Sequence, residues 1–114
     1  MYLQETYEYP MVDNSLLQEV VRRIRSVGNP VKIVLFGSRA RGNARLDSDL
    51  DILIVEESTK PRYMRPTPYR RALTGLFPKK DILVWTPQEI ENDCNNSHSF
   101  ITNILKEGVV LYER

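Results

Sequence analysis

Little in this chain can hold it together except its own core. One cysteine, Cys94, cannot close an internal disulfide, which excludes a stapled scaffold and agrees with a reducing cytosol. No apolar run approaches the ~20 residues that span a bilayer. The stretch Met1-Tyr2-Leu3-Gln4-Glu5-Thr6-Tyr7-Glu8 lacks the basic and apolar regions of a signal peptide. A cytoplasmic protein with no membrane partner is expected. The single histidine, His98, has no cysteine or histidine cluster around it, so zinc ligation is set aside for a surface helix cap. Neither charge dominates: 16 Lys and Arg against 15 Asp and Glu leave a net +1, which argues against nucleic acid as the main partner. There are no repeats and no low-complexity tract.

What is present suits a compact core. The chain has 114 residues, 41% of them hydrophobic, and a chain of that length buries roughly two-thirds of its unfolded surface without staples. One domain over residues 1–114 is expected, with 1–12 (Tyr2, Tyr7, Tyr9, Pro10) as an extended arm. Leu16, Leu17, Val20, Val21, Ile24 and Val27 recur at helical spacing, while Gln18, Glu19, Arg22, Arg23 and Arg25 face away. Ser15 with Gln18 is a candidate capping box, and Gly28-Asn29-Pro30 ends the helix. Val31–Phe36 and Asp49–Glu56 read as strands, as do Asp81–Trp85 and Val109–Tyr112. Residues 58–71 hold three prolines and five basic residues with no acid. They read as a solvated surface loop leading into a helix near Tyr69–Leu76. Thr86, Pro87 and Glu89 predict a capped helix start, and a last helix spans about Ser99–Lys106. This alternation predicts an α/β (α+β) fold, a small mixed sheet with helices on one side.

The chemistry sits between the first two strands. Gly37-Ser38-Arg39-Ala40-Arg41-Gly42 leaves one apolar run, and Asp49-Leu50-Asp51 opens the next. Glycine lets a backbone approach an anion closely, and the serine hydroxyl and exposed amides can donate to phosphate oxygens. Arg39 and Arg41 can add charge-assisted bonds to a triphosphate. Residues two apart in a strand share a face, so Asp49 and Asp51 can converge on one point. Their repulsion is relieved most simply by a divalent cation, and magnesium takes one or two carboxylates with phosphate oxygens completing its shell. An isolated Asp-x-Asp is more often a polar turn capping a strand. Asp81 changes the weighing: if its strand neighbours that of Asp51, three carboxylates meet at one sheet end and can serve two ions. Asp81 is then also placed to take a proton from an attacking hydroxyl. The pattern is neither a Walker P-loop nor a Rossmann fingerprint.

Gly37-Ser38, ten intervening residues, Asp49-Leu50-Asp51 and a later Asp81 resemble the nucleotidyltransferase superfamily that includes DNA polymerase β. The string Ser48-Asp49-Leu50-Asp51-Ile52-Leu53-Ile54-Val55 and the short chain are similar to its minimal nucleotidyltransferases, often encoded beside a HEPN-domain partner. The resemblance implies transfer of a nucleoside monophosphate, AMP from ATP, to a hydroxyl. By it, Asp49, Asp51 and Asp81 bind two magnesium ions (or manganese), Asp81 acting as ligand or base, and Gly37 and Ser38 hold the triphosphate. Some minimal members are antitoxins that adenylylate a tyrosine of the HEPN toxin. No second domain is visible to supply an acceptor pocket, so the acceptor is expected on a partner protein or a second copy of this chain.

Three other readings stay open: an antitoxin acting by occlusion, transfer to a small molecule such as an aminoglycoside, and nucleotide addition to RNA ends. Trp85 is expected in the core rather than as a stacking platform, and Cys94 as an unreactive thiol. The basic loop with Tyr63 and Tyr69 could contact RNA or a triphosphate, and the N-terminal tyrosines could dock a partner, but neither signal is specific.

Overall fold

A computed structural model describes residues 14–42, 48–76, 78–95 and 99–114. The expected N-terminal arm and the cap role of His98 lie outside them. Helix α1 (Asn14–Val27) leads to strand β1 (Lys32–Phe36), the one-turn helix α2 (Ser38–Arg41) and strand β2 (Leu50–Val55). A 3-10 turn (Arg62–Met64), α3 (Thr67–Ala72), β3 (Lys80–Trp85), α4 (Pro87–Asp93), α5 (Phe100–Glu107) and β4 (Val109–Glu113) follow. The four strands form one mixed sheet in the order β3-β2-β1-β4. β1 runs antiparallel to both of its neighbours, while β2 and β3 are parallel.

Helices cover both faces of the sheet, which corrects the expectation of one. On the first face, Val20 and Ile24 of α1, Tyr69 of α3 and Leu73 just after it close over Ile33, Leu35, Ile52, Ile54, Ile82 and Val84. On the second, Ile101 and Ile104 of α5 close over Val34, Leu53 and Val55. The reason lies in β2. Ile52, Leu53, Ile54 and Val55 are an unbroken apolar run, at most 5% exposed, and alternate residues of a strand point to opposite faces. A strand apolar on both faces needs cover on both.

Polar contacts tie the layers. Arg23, expected to face away, donates to the carbonyls of Ala72 and Thr74 at 3.2 Å, satisfying the C-terminal end of α3. Arg25, also expected outward, lies over the Tyr112 ring at 4.4 Å. Tyr69 donates to Glu56, whose other oxygen accepts from the Asn29 amide at 2.7 Å. Burial, with the Glu56 carboxylate beside it, pushes the Tyr69 phenol up. Ser15 stands inside α1 rather than ahead of it, because the helix begins at Asn14. The Thr86–Glu89 capping box forms as expected.

Candidate active site

Strand register assembles the site. Phe36 pairs with Asp51 across β1 and β2, and Asp51 pairs with Asp81 across β2 and β3. Gly37 leaves β1 beside that first pair, so Gly37, Asp51 and Asp81 form a row across one end of the sheet, with neighbouring strands ~4.8 Å apart. Asp49 precedes β2 and is exposed, as is Asp81, whereas Asp51 is half-buried.

Gly37 is required twice over. Its φ of 77° with ψ of −159° is a conformation open essentially to glycine. A Cβ there would also collide with the Asp51 carboxylate. The turn and the first carboxylate of the row are therefore packed backbone against side chain. The Gly37 carbonyl accepts from the amides of Ala40 and Arg41, both at 3.1 Å, which winds α2 and sets Ser38 at its start. Gly42, in the left-handed region at φ 81°, ends it.

The carboxylates sense one another. Burial, then the charges of Asp81 and Asp49, push Asp51 above the ordinary carboxylate range, with Arg41 opposing. A half-buried acid crowded by two more is a donor set whose chemistry fits a hard divalent cation. As the side chains stand, no three such donors among the described residues are grouped tightly enough to enclose an ion.

The two arginines of the turn sit differently. Arg39 donates from Nε and Nη2 to the Ser48 carbonyl at 3.2 and 2.8 Å, bracing the return of the chain to Asp49. Arg41 is exposed and acts on Asp51. It also borders a cavity of about 220 Å³ with Gly37, Phe36, Phe100 and Glu107.

Sequence reasoning missed what the basic segment does. It lies on the surface, as expected, with Lys60, Arg62, Tyr63, Arg70 and Arg71 exposed, but it is also pinned along β3. Arg65, 8% exposed, donates to Glu89 at 2.7 and 3.2 Å and to the Val84 carbonyl at 3.2 Å. Arg65, with the Thr86 amide aiding, holds Glu89 down at about 2, against a smaller opposing effect of burial. Arg62 lies 3.9 Å over the Trp85 ring and 3.4 Å from Glu89. The helix expected near Tyr69–Leu76 spans Thr67–Ala72. Trp85 is half-buried against the α4–α5 layer and also lines a cavity of about 510 Å³ beside Asp81. The signal was the run of arginines, but their acidic and aromatic partners lie some twenty residues further on.

A glycine-serine turn at one end of a carboxylate row, with cavities on both flanks, is equipped for chemistry on a phosphate ester. The comparisons with known proteins agree and are more specific. Residues 15–111 match the nucleotidyltransferase domain family, and this chain belongs to it. A protein of Methanocaldococcus jannaschii, provisionally named a protein adenylyltransferase, is 34% identical over 106 residues, covering 90% of this chain and all of the relative. A crystal structure from Sulfolobus solfataricus, provisionally named a nucleotidyltransferase, superposes with a TM-score of 0.59 at 24% identity, over 87% of this chain and 78% of that one. A toxin–antitoxin crystal structure with AMP-PNP gives 0.63 at 19% identity, over 86% and 73%. At those identities the two structures speak for the fold. The protein is a nucleotidyltransferase, and no helix among its described residues is long and apolar enough to cross a membrane.

Proposed function

We propose that this chain transfers AMP from ATP to a tyrosine hydroxyl of a HEPN-domain toxin and so acts as its antitoxin. The observation that carries the reading is the row itself, with Asp51 paired to Phe36 before Gly37 on one strand and to Asp81 on the other. The α-phosphate sits over Asp51, the leaving pyrophosphate over Gly37 and Ser38, and the acceptor on the side of Asp81. The acceptor oxygen attacks the α-phosphorus in line as the bond to the bridging β-oxygen breaks. The hydroxyl proton passes to Asp81, and pyrophosphate leaves with its charge met by Ser38 and Arg41. Asp49, Asp51 and Asp81 would hold magnesium, which when bound offsets the charge developing on pyrophosphate.

The Methanocaldococcus relative supports AMP as the group and a protein as the acceptor. The toxin–antitoxin neighbour with AMP-PNP supports an adenine nucleotide and a toxin partner. The test is transfer from α-phosphate-labelled ATP with magnesium, in a lysate containing the candidate toxin. Wild type should label one discrete protein, and Asp51→Asn should lose at least about 100-fold of that labelling with its melting unimpaired. Wild-type labelling by a folded Asp51→Asn chain would remove the row from the mechanism.

A further inference from the structure

The cavity of about 510 Å³ beyond Asp81 is not used by the nucleotide in the reading above. Asp81, Leu83 and Trp85 alternate along β3 and share one face. They give a strip ~13 Å long that starts at the proton acceptor and runs away from the triphosphate turn. Its floor is incompletely covered, since Leu83 and Trp85, packed against the second core cluster, remain only partly buried. Its rim is the basic segment. Arg62 stacks on Trp85, Tyr63 stands 79% exposed, and Arg70 is exposed on α3 with no ion pair to a described carboxylate. The rim is also set in advance. Arg65 fastens its centre to the Val84 carbonyl and to Glu89, so little ordering is left for binding to drive.

We infer that this strip is the acceptor's docking groove, and that it takes an extended, acidic polypeptide segment carrying the hydroxyl side chain to Asp81. The inference rests on the reading of the chain as a transferase onto a protein hydroxyl. Two observations select the occupant. Two arginines line the strip: Arg62 is 3.4 Å from Glu89, and Arg70 has no ion pair to a described carboxylate, so the rim keeps cationic charge that complements carboxylates. The strip is also continuous with the carboxylate row, on the side opposite the leaving group, where an in-line acceptor has to enter. An aromatic acceptor ring lies over Leu83 with its oxygen at Asp81, and flanking acids reach Arg62 and Arg70. A nucleic-acid strand is disfavoured, because the strip is apolar and a strand would bring a phosphate charge at every residue to the carboxylate row, whereas a polypeptide can present a neutral hydroxyl side chain there.

The groove can be tested without catalysis. The probe is a fluorescent random copolymer of glutamate and tyrosine, bound to the full chain without nucleotide and followed by anisotropy. A lysine–tyrosine copolymer and an oligouridylate serve as comparators. Binding should favour the Glu–Tyr copolymer, weaken with salt, and fall about fivefold or more in Arg70→Glu and in Arg62→Glu. Lys106→Glu, an equal charge change off the groove, should stay within about twofold. ATP with magnesium should not displace the copolymer. No binding, unchanged binding in a folded Arg70→Glu chain, preference for either comparator, or displacement by ATP would overturn the inference. Labelling of a partner from ATP reads the transferase activity separately. A chain that labels its partner but ignores the copolymer loses the groove alone, while one that binds the copolymer and labels nothing loses the parent reading.

Discussion

The two faces of the sheet are built to different degrees of closure. Under α1 and α3, Ile24, Ile33, Ile52, Leu73, Ile82 and Val84 are at most 2% exposed, and polar joints at Arg23 and Tyr69 fasten the helices. Under α4 and α5 the core is smaller, and at the β3 edge, between that strand and the segment leading into α3, lies the cavity beside Asp81. Asp51, Asp81 and Trp85 all belong to this second face. The first face carries more of the fully buried apolar side chains than the second. Stability should therefore be concentrated on the first face and chemistry on the second.

Gly37→Ala should break the second face most strongly. The added methyl group meets the Asp51 carboxylate in a backbone conformation that disfavours it, so nucleotidyl transfer should fall by about 100-fold or more. Kinetics on the folded variant check this; near wild-type rates would show that the turn and Asp51 need not be in contact. Ile52→Ala should do the reverse, costing about 3 kcal/mol in urea unfolding through its cavity in the closed face, with transfer retained in the fraction that stays folded. A loss below about 1 kcal/mol would mean that face is less tightly packed than its burial indicates.

Glu89→Gln probes the strap that edges the open face. Glu89 titrates at about 2 in the folded chain against an ordinary 4.5. As pH falls the unfolded chain takes up that proton first, so the carboxylate's contribution is whole above about pH 4.5 and fades toward pH 2. With the carboxylate 28% exposed and screened, the variant should be less stable by about 1 kcal/mol at pH 7 and nearly equal to wild type at pH 2. Denaturant melts across that range measure the difference, and a pH-independent gap would assign it to shape rather than charge. Tyr69→Phe, which removes only the donor to Glu56, should have the smallest effect, about 0.5 kcal/mol without loss of transfer.

Legibility followed sequence distance. Gly37, Ser38, Asp49 and Asp51 fall within fifteen residues, bounded by two strands that announce themselves by apolar runs. Asp81 was readable only on the condition that its strand lay beside β2. The parallel pairing Asp51 to Asp81 meets that condition, but nothing local to Asp81 dictates it. Cover on both faces was legible in principle, since Ile52-Leu53-Ile54-Val55 has no polar side to give to water. The basic segment was not. Its arginines take their role from Glu89 and Trp85, and a run of Arg and Pro has the same composition whether pinned or solvated.

By itself, then, the sequence determined the strands, the cap at Thr86, the turn that demands glycine, and the carboxylates that follow it, because each rests on period, propensity or close spacing. Tertiary structure alone decided that Asp51 stands between Gly37 and Asp81, that Arg39 braces the Ser48 carbonyl while Arg41 acts on Asp51, and that the basic segment walls a groove. Those outcomes depend on which strands pair and which distant side chains meet, and chain-closure entropy lets many such pairings compete until the whole core is formed.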